Sequence, residues 1–371
     1  MLLFTPGPTP VPERVRQAMA TPTIHHRTPE FTKIFKETRE LLISFLKMDD
    51  ALMLASTGTG AMEACVTNLC RKKALVVNSG KFGERFAQIA RAFGKEVVEL
   101  KYEWDTAVKL TDIEAAFKEH PDIDSFFIQI CESSGGLRHP VEDAAQLVKA
   151  LNDEAIVVAD GITAVGVEPI DTTHIDALIT GSQKALMLPP GLAMIGLSSA
   201  AIRRIGEGSG YYFNLAKELK KQREGTTAYT AATTLIIGLR EVLKIILEEI
   251  GLDELYDQTD RRATATRLAV EALGLTIYPQ KPANAMTAVI DEQAEEIRKL
   301  LKTKYGVNVA GGQEHLKGKL FRINHMGLIE PHEAAWVLNA VELALDDLGR
   351  RSYDGTANKI FSQSFYKLLE D

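Results

Sequence analysis

The chain predicts an α/β fold: a large domain on a seven-stranded, mostly parallel sheet, followed by a smaller C-terminal α+β domain. Three observations carry this reading. Seven short apolar, β-branched runs lie between residues 52 and 197, with the length and composition of strands buried on both faces. Stretches with helical periodicity separate most of them, which is the pattern of right-handed β-α-β crossovers in a parallel sheet. After Gly251 the order changes to long helices and only three strands. The expected division is an N-terminal arm over residues 1–15, a large domain over 16–250 and a small one over 251–371.

The elements follow in order. The arm holds Pro6, Pro8, Pro10 and Pro12, so it is extended, unfit for a central strand, and suited to lie across a surface or a partner. A helix starts near Pro12-Glu13 and runs to Ala20. Thr28-Pro29-Glu30 opens a second, to about Lys47. Between them, His25-His26-Arg27 reads either as a polar loop or as a contact for an anionic substrate. Residues 52–56 form a buried strand that runs into Thr57-Gly58-Thr59-Gly60 and a helix. Strand, glycine-rich turn and helix make a phosphate cradle, because free N–H groups and the helix dipole meet at the turn. An ordinary N-cap turn has the same appearance. There is no Walker lysine and no G-x-G-x-x-G, which favours a small phosphate over a nucleotide.

Residues 74–78 form the next strand, and Ser79 to Arg85 turns into a helix ending at Phe93-Gly94. Phe82 lies just past the strand end between two glycines, placed either to stack on a flat cofactor ring or to pack in the core. Strands follow at 96–100 and 125–130, with a helix at 111–119 between them. The second strand ends in Cys131-Glu132-Ser133-Ser134-Gly135-Gly136, whose hydroxyls can bond a ring substituent. After a helix at 141–151, the strand at 155–160 stops at Asp160. The strand at 176–180 leads through Gly181-Ser182-Gln183 to Lys184, then to Pro189-Pro190-Gly191 and a strand at 192–197.

Asp160 and Lys184 are the anchors. Ligands of open α/β sheets bind at the carboxyl ends of the strands, so these two side chains can share a cleft. Burial lowers a lysine's pKa and makes it a nucleophile; the alternative is a lysine snorkelling from a strand end. An aspartate that keeps a pyridine nitrogen protonated and a lysine that bonds an aldehyde are what pyridoxal phosphate requires.

Residues 200–230 are polar and glycine-containing. Gly225 to Ala232 opens a helix over 231–250, closed by Gly251. Beyond it come helix 253–272, strand 286–290, helix 291–304, strands 307–310 and 319–323, and helix 331–348. Arg322 sits in the last strand with apolar flanks. A buried arginine needs an anionic partner, either a substrate carboxylate or a structural acid.

Composition narrows the function classes. At 45% apolar and 25% charged, the 371 residues suit a globular protein with a sizeable core. A net charge of −7 with no basic stripe argues against a nucleic-acid partner. Cys65, Cys70 and Cys131 lack metal-ligand spacing and fit a reducing compartment. The N-terminus lacks a signal-peptide pattern, the apolar stretch 235–252 carries Arg240, Glu241, Lys244, Glu248 and Glu249, and Leu368 to Asp371 carries no lipidation or peroxisomal signal. The expectation is a cytoplasmic enzyme without a membrane partner or a metal.

These motifs together resemble the class V aminotransferases of pyridoxal phosphate fold type I, in particular the alanine–glyoxylate and serine–pyruvate aminotransferase group. The resemblance covers essentially the whole chain. It rests on Gly7-Pro8, Thr57 to Glu63, Asn78 to Arg85, Glu132 to Gly135, Asp160, Gly181 to Ala185 with Pro189 to Gly191, Tyr229-Thr230, and Phe321 to Ile323. It implies that Lys184 bonds the cofactor and moves the α-proton, and that Asp160 pairs with the pyridine nitrogen. Phe82 takes the place of the family's stacking aromatic. Thr57, Gly58 and Thr59 would bind the phosphate, Ser134 and Gln183 would lie near the cofactor, and Thr230 would reach the phosphate of a neighbouring subunit in a homodimer with shared active sites. Thr227 stands where some relatives have a tyrosine. Arg322 would grip the substrate carboxylate, and Gly7 would line its pocket.

The implied function is ping-pong transfer of an amino group from alanine or serine to glyoxylate or pyruvate. His25, His26 and Arg27 leave open a phosphonate, phosphoserine or aspartate-type donor. Cysteine desulfuration needs a nucleophilic cysteine in the C-terminal half, and none follows Cys131. Some relatives carry the label of a soluble hydrogenase subunit, but the sequence offers no Fe–S or nickel ligand pattern.

Overall fold

A computed structural model describes residues 1–367; the C-terminal segment Leu368 to Asp371 lies outside the described residues. In chain order the strands are β1 (Leu2–Phe4), β2 (Asp50–Leu54), β3 (Lys73–Asn78), β4 (Glu96–Lys101), β5 (Ser125–Gln129), β6 (Cys131–Glu132), β7 (Leu137–Arg138), β8 (Ile156–Asp160), β9 (Ala177–Gly181), β10 (Ala193–Leu197), β11 (Thr276–Ile277), β12 (Met286–Ile290), β13 (Val307–Gly311) and β14 (Leu320–Asn324).

Seven of them form one sheet in the order β2-β10-β9-β8-β5-β3-β4. Only β10 runs against its neighbours, β2 and β9; every other pair is parallel. Apart from the edge strand β4, whose Glu96, Glu99 and Lys101 leave it exposed or half-buried against the sequence expectation, the sheet is buried on both faces because alternate residues point to opposite sides and both sets are apolar. In β3, Leu75 and Val77 join one core while Ala74 and Val76 join the other; in β8, Val157 and Ala159 oppose Ile156 and Val158 in the same way. Helices Pro29–Leu46, Val141–Leu151 and Thr233–Lys244 cover the first face. Helices Gly58–Leu69 and Lys81–Ala92 cover the second.

The C-terminal sheet has the order β1-β13-β14-β12-β11. A third core lies between it and helices Leu252–Ala272, Ala294–Thr303 and Pro331–Asp347, with Val289, Ile297, Phe321, Val337 and Phe361 buried together. The arm reaches into this sheet: β1 pairs in parallel with β13, Leu2 opposite Val307 and Phe4 opposite Val309. It is an edge strand, as the prolines that follow it require.

Three helices go beyond the sequence reading. Within the 200–230 region, Ser199–Ile205 and Leu215–Arg223 are helical, started by Ser198 and Asn214, whose side chains accept the N–H groups of Ala201 and Lys217. Thr356–Lys367 packs against the C-terminal core. The long helix after Ala232 also changes character, becoming a π-helix over Ile245–Ile250. The wider turn lets Ile245 and Ile246 both face inward, and Gly251, at φ 86°, closes it with its N–H on the Ile246 carbonyl.

Candidate active site

The carboxyl ends of β8 and β9 lie side by side, with Asp160 in register with Ile179. The chain leaves β9 in a tight turn that presents Lys184 above the sheet edge. Two segments hold this turn. From the arm, the Thr9 hydroxyl donates to the Lys184 carbonyl at 2.7 Å, and the Thr9 N–H donates to the Gln183 carbonyl at 3.1 Å. From the C-terminal sheet side, Gly327 packs on Met187. The Lys184 ammonium donates to the Pro6 carbonyl. Gly7 stands against the same side chain: a Cβ there would lie 2.6 Å from Lys184 Cδ, and its φ of 92° favours glycine.

Burial pushes the Lys184 pKa down to about 8, with Arg322 adding to the shift and Asp160 opposing it. Asp160 is buried, and desolvation raises its carboxyl to about 7 against the N–H of Ile162, which its Oδ1 accepts at 2.9 Å. Lysine and aspartate are thus shifted toward each other at one cleft, a signature of a functional site.

Thr57 precedes helix Gly58–Leu69 without capping it through its side chain; the N–H groups of Gly60 and Ala61 donate to its carbonyl at 2.9 and 3.3 Å, and those of Gly58 and Thr59 have no partner among the described residues and are available to an anion. A Cβ at Gly58 would lie 2.3 Å from Ile162 Cδ1, which brings this helix start close to the Asp160 turn. The Thr59 hydroxyl accepts from Arg85 at 3.1 Å, and the Arg85 guanidinium covers one face of the Phe82 ring at 4.7 Å. Phe82 itself is half-buried. Gln183 points a buried Oε1 that has no partner among the described residues.

Ser134 is fully buried, and its hydroxyl is engaged: it donates to Glu132 at 2.6 Å and accepts the Lys81 N–H at 3.2 Å. Arg322 is buried on β14, its two Nη groups donating to the carbonyls of Ser133 and Gly311 at 2.6 Å each. Its Nε has no partner, and it forms no ion pair among the described residues. The structure does not bring every candidate to this cluster. Thr230 is exposed and lines a surface cavity with Met53, Tyr212 and Tyr229. Arg27 donates to the Thr226 hydroxyl and the Thr227 carbonyl, next to that segment, and the His25 and His26 rings lie 4.8 Å apart, tilted at 41° to each other.

Residues 1–329 match the family model described as aminotransferase class V. The chain is a class V aminotransferase. It is 51% identical over 99% of its length to an uncharacterised aminotransferase from Helicobacter pylori (strain ATCC 700392 / 26695), all of which it covers. It is 31% identical to a serine–glyoxylate aminotransferase from Hyphomicrobium methylovorum, across 98% of this chain and 95% of that one. Among solved structures, an aspartate aminotransferase of subgroup IV from Thermus thermophilus superposes with a TM-score of 0.88 at 32% identity, covering 94% of this chain and 99% of that one.

This class V aminotransferase is a pyridoxal phosphate enzyme, and the residues present fit the cofactor. The helix start at Gly58, with two backbone donors unpartnered among the described residues, and the buried Asp160 carboxyl offer what a phosphate and a pyridine ring need. Among the described residues, no helix is long and apolar enough to cross a membrane, and no group of three or more His, Cys, Asp or Glu side chains is arranged to hold a metal ion. Two neighbours of the cluster were given no role from sequence: Arg85, on the Phe82 ring, and Glu132, buried and accepting the Phe82 N–H. The glycines around Phe82 signalled close packing there. Nothing in the sequence said which acid the helix would close over.

Proposed function

We propose that the enzyme moves an amino group from a small amino acid, alanine or serine, to glyoxylate or pyruvate. The observation that carries this is Arg322: a buried guanidinium near Lys184 whose only partners among the described residues are backbone carbonyls. It has the fork geometry for one carboxylate. A donor with a single carboxylate satisfies it without a second cation. The serine–glyoxylate name of the Hyphomicrobium relative agrees with this reading.

Bound pyridoxal phosphate supplies the electron sink for charge that develops at the substrate α-carbon. The protein does the rest. Thr57, Gly58 and Thr59 would hold the phosphate with backbone N–H and hydroxyl groups, with Thr230 reaching it from a second subunit, and Gln183 would lie beside the cofactor. Phe82 covers one face of the ring, and the segment around Ser134 borders it. Asp160 keeps a proton on the ring nitrogen. Arg322 orients the substrate, with Gly7 leaving room beside it. Lys184, with a pKa near 8 rather than 10.5, is deprotonated in about a tenth of molecules at pH 7, far more than an exposed lysine, and can take the α-proton and return it. Under this proposal the enzyme is a cytoplasmic homodimer, with its large and small domains divided at Gly251.

An aspartate-type donor is the second reading, favoured by the name of the Thermus structure and by Arg85, a guanidinium without a carboxylate partner among the described residues. The test is the half-reaction. Alanine, serine, aspartate, phosphoserine and aminoethylphosphonate are added singly to the yellow holoenzyme, and the loss of visible absorbance is followed. Bleaching by alanine or serine at low concentration supports the first reading. Bleaching by aspartate or phosphoserine alone replaces it, and no bleaching by any donor refutes both.

A further inference from the structure

Glu132 is fully buried, and no cation pairs with it among the described residues. Its carboxylate instead receives four hydrogen bonds. Oε2 accepts the N–H groups of Phe82 and Gly83, both at 3.0 Å. Oε1 accepts the Ser134 N–H at 3.1 Å and the Ser134 hydroxyl at 2.6 Å. All four partners are donors, so the group is built to be held as an anion. The two N–H groups on Oε2 belong to the first turn of helix Lys81–Ala92, where the helix dipole also favours negative charge. Burial raises the Glu132 pKa and the four donors oppose it. The helix entry is pressed onto the carboxylate: a Cβ at Gly80 would lie 2.5 Å from Glu132 Cδ.

The next residue extends the connection. The Ser133 carbonyl accepts Arg322 Nη1 at 2.6 Å. Three consecutive residues therefore hold the turn that carries Phe82 on one side and the guanidinium of β14 on the other. We infer that Glu132 is a positioning residue of this active site: its carboxylate fixes the Phe82 ring against the cofactor face and, through Ser133, fixes Arg322 for the substrate carboxylate. This rests on the roles proposed for Phe82 and Arg322.

Glu132→Gln tests it. The amide keeps the shape, but in either orientation it turns an NH2 toward groups that are themselves donors. Expected for this variant are cooperative melting of the apoprotein, a pyridoxal phosphate dissociation constant raised about 10- to 100-fold in equilibrium dialysis, and a donor KM raised by a similar factor at saturating cofactor. The visible circular dichroism of the bound cofactor should also change. Glu132→Asp, which keeps the charge, should recover part of both losses. A Gln variant with a lower melting temperature but wild-type cofactor affinity and donor KM overturns the inference, because the role is then structural only. Should that variant not fold, Ser134→Ala removes one of the four donors, and unchanged affinity and KM in it are equally decisive against the idea. The proposed function fails separately, in the wild-type protein, if none of the named donors reacts.

Discussion

Lys184 shows how one residue's environment sets both chemistry and stability. Its pKa near 8 lies below the ordinary 10.5, so between those values the unfolded chain binds more protons than the folded one. Stability of the apoprotein should therefore rise with pH across that window, while below pH 8 the buried ammonium costs its full penalty. Lys184→Met should be inactive yet more stable than wild type by about 3 kcal/mol at pH 7. Urea titrations at pH 7 and above 10 check this: the gap should close at the higher pH, and a constant gap would contradict it. Arg322 tests the other end of the cleft. Arg322→Lys keeps a cation but loses the planar fork, so the donor KM should rise about 10- to 100-fold while cofactor affinity changes little. An unchanged KM would remove Arg322 from substrate binding.

At the scale of elements, helix Lys81–Ala92 sits so close to β3 that a Cβ at Gly83 would lie 2.4 Å from the Val77 carbonyl and 2.8 Å from Asn78 Cα. Backbone cannot yield as a side chain does. Gly83→Ala should lower stability by roughly 1–3 kcal/mol and weaken cofactor binding with it, both measurable on one preparation by thermal melting and dialysis. This contact also shows what the sequence made legible. The seven strands and the helices over them were readable because their apolar residues are local and dense, as in residues 74–78 and 155–160. Helix Leu215–Arg223 was not, since its buried face is Leu215, Glu218, Leu219 and Gln222, where polar residues pack inward. There Gln222 bonds the Met53 backbone through both its oxygen and its nitrogen, a long-range partnership invisible to periodicity. The Lys184–Asp160 pair was legible because strand ends predict position. The burial of Glu132 was not, because a carboxylate at a strand end reads as a solvated loop until the glycine-lined helix closes over it.

Across the whole molecule, the two sheets share apolar packing, Met286 and Met326 joining the core of the large sheet, and polar contacts add to it. Besides Arg322 on Ser133, Lys81 pairs with Glu314 at 2.7 Å, and Trp104 meets His315 edge-on with centroids 4.7 Å apart. The ion pair is exposed and screened by solvent, so Glu314→Gln should leave stability nearly unchanged, read as an almost unaltered urea midpoint. A shared site in a homodimer makes a sharper demand. Lys184→Ala and Thr230→Glu proteins, each inactive alone, should regain about a quarter of wild-type activity when unfolded and refolded together, since half the dimers are hybrids with one intact site. No recovery would place each site within one subunit. Finally, the arm that supplies the Pro6 carbonyl and Gly7 to Lys184 is anchored by β1, whose partner strand begins at Val307. During synthesis, the arm must stay unpaired until β13, roughly 300 residues further on, emerges, roughly 15–60 s later. The reactive lysine is thus among the last features to be enclosed, and a nascent chain halted before β13 would carry it uncovered.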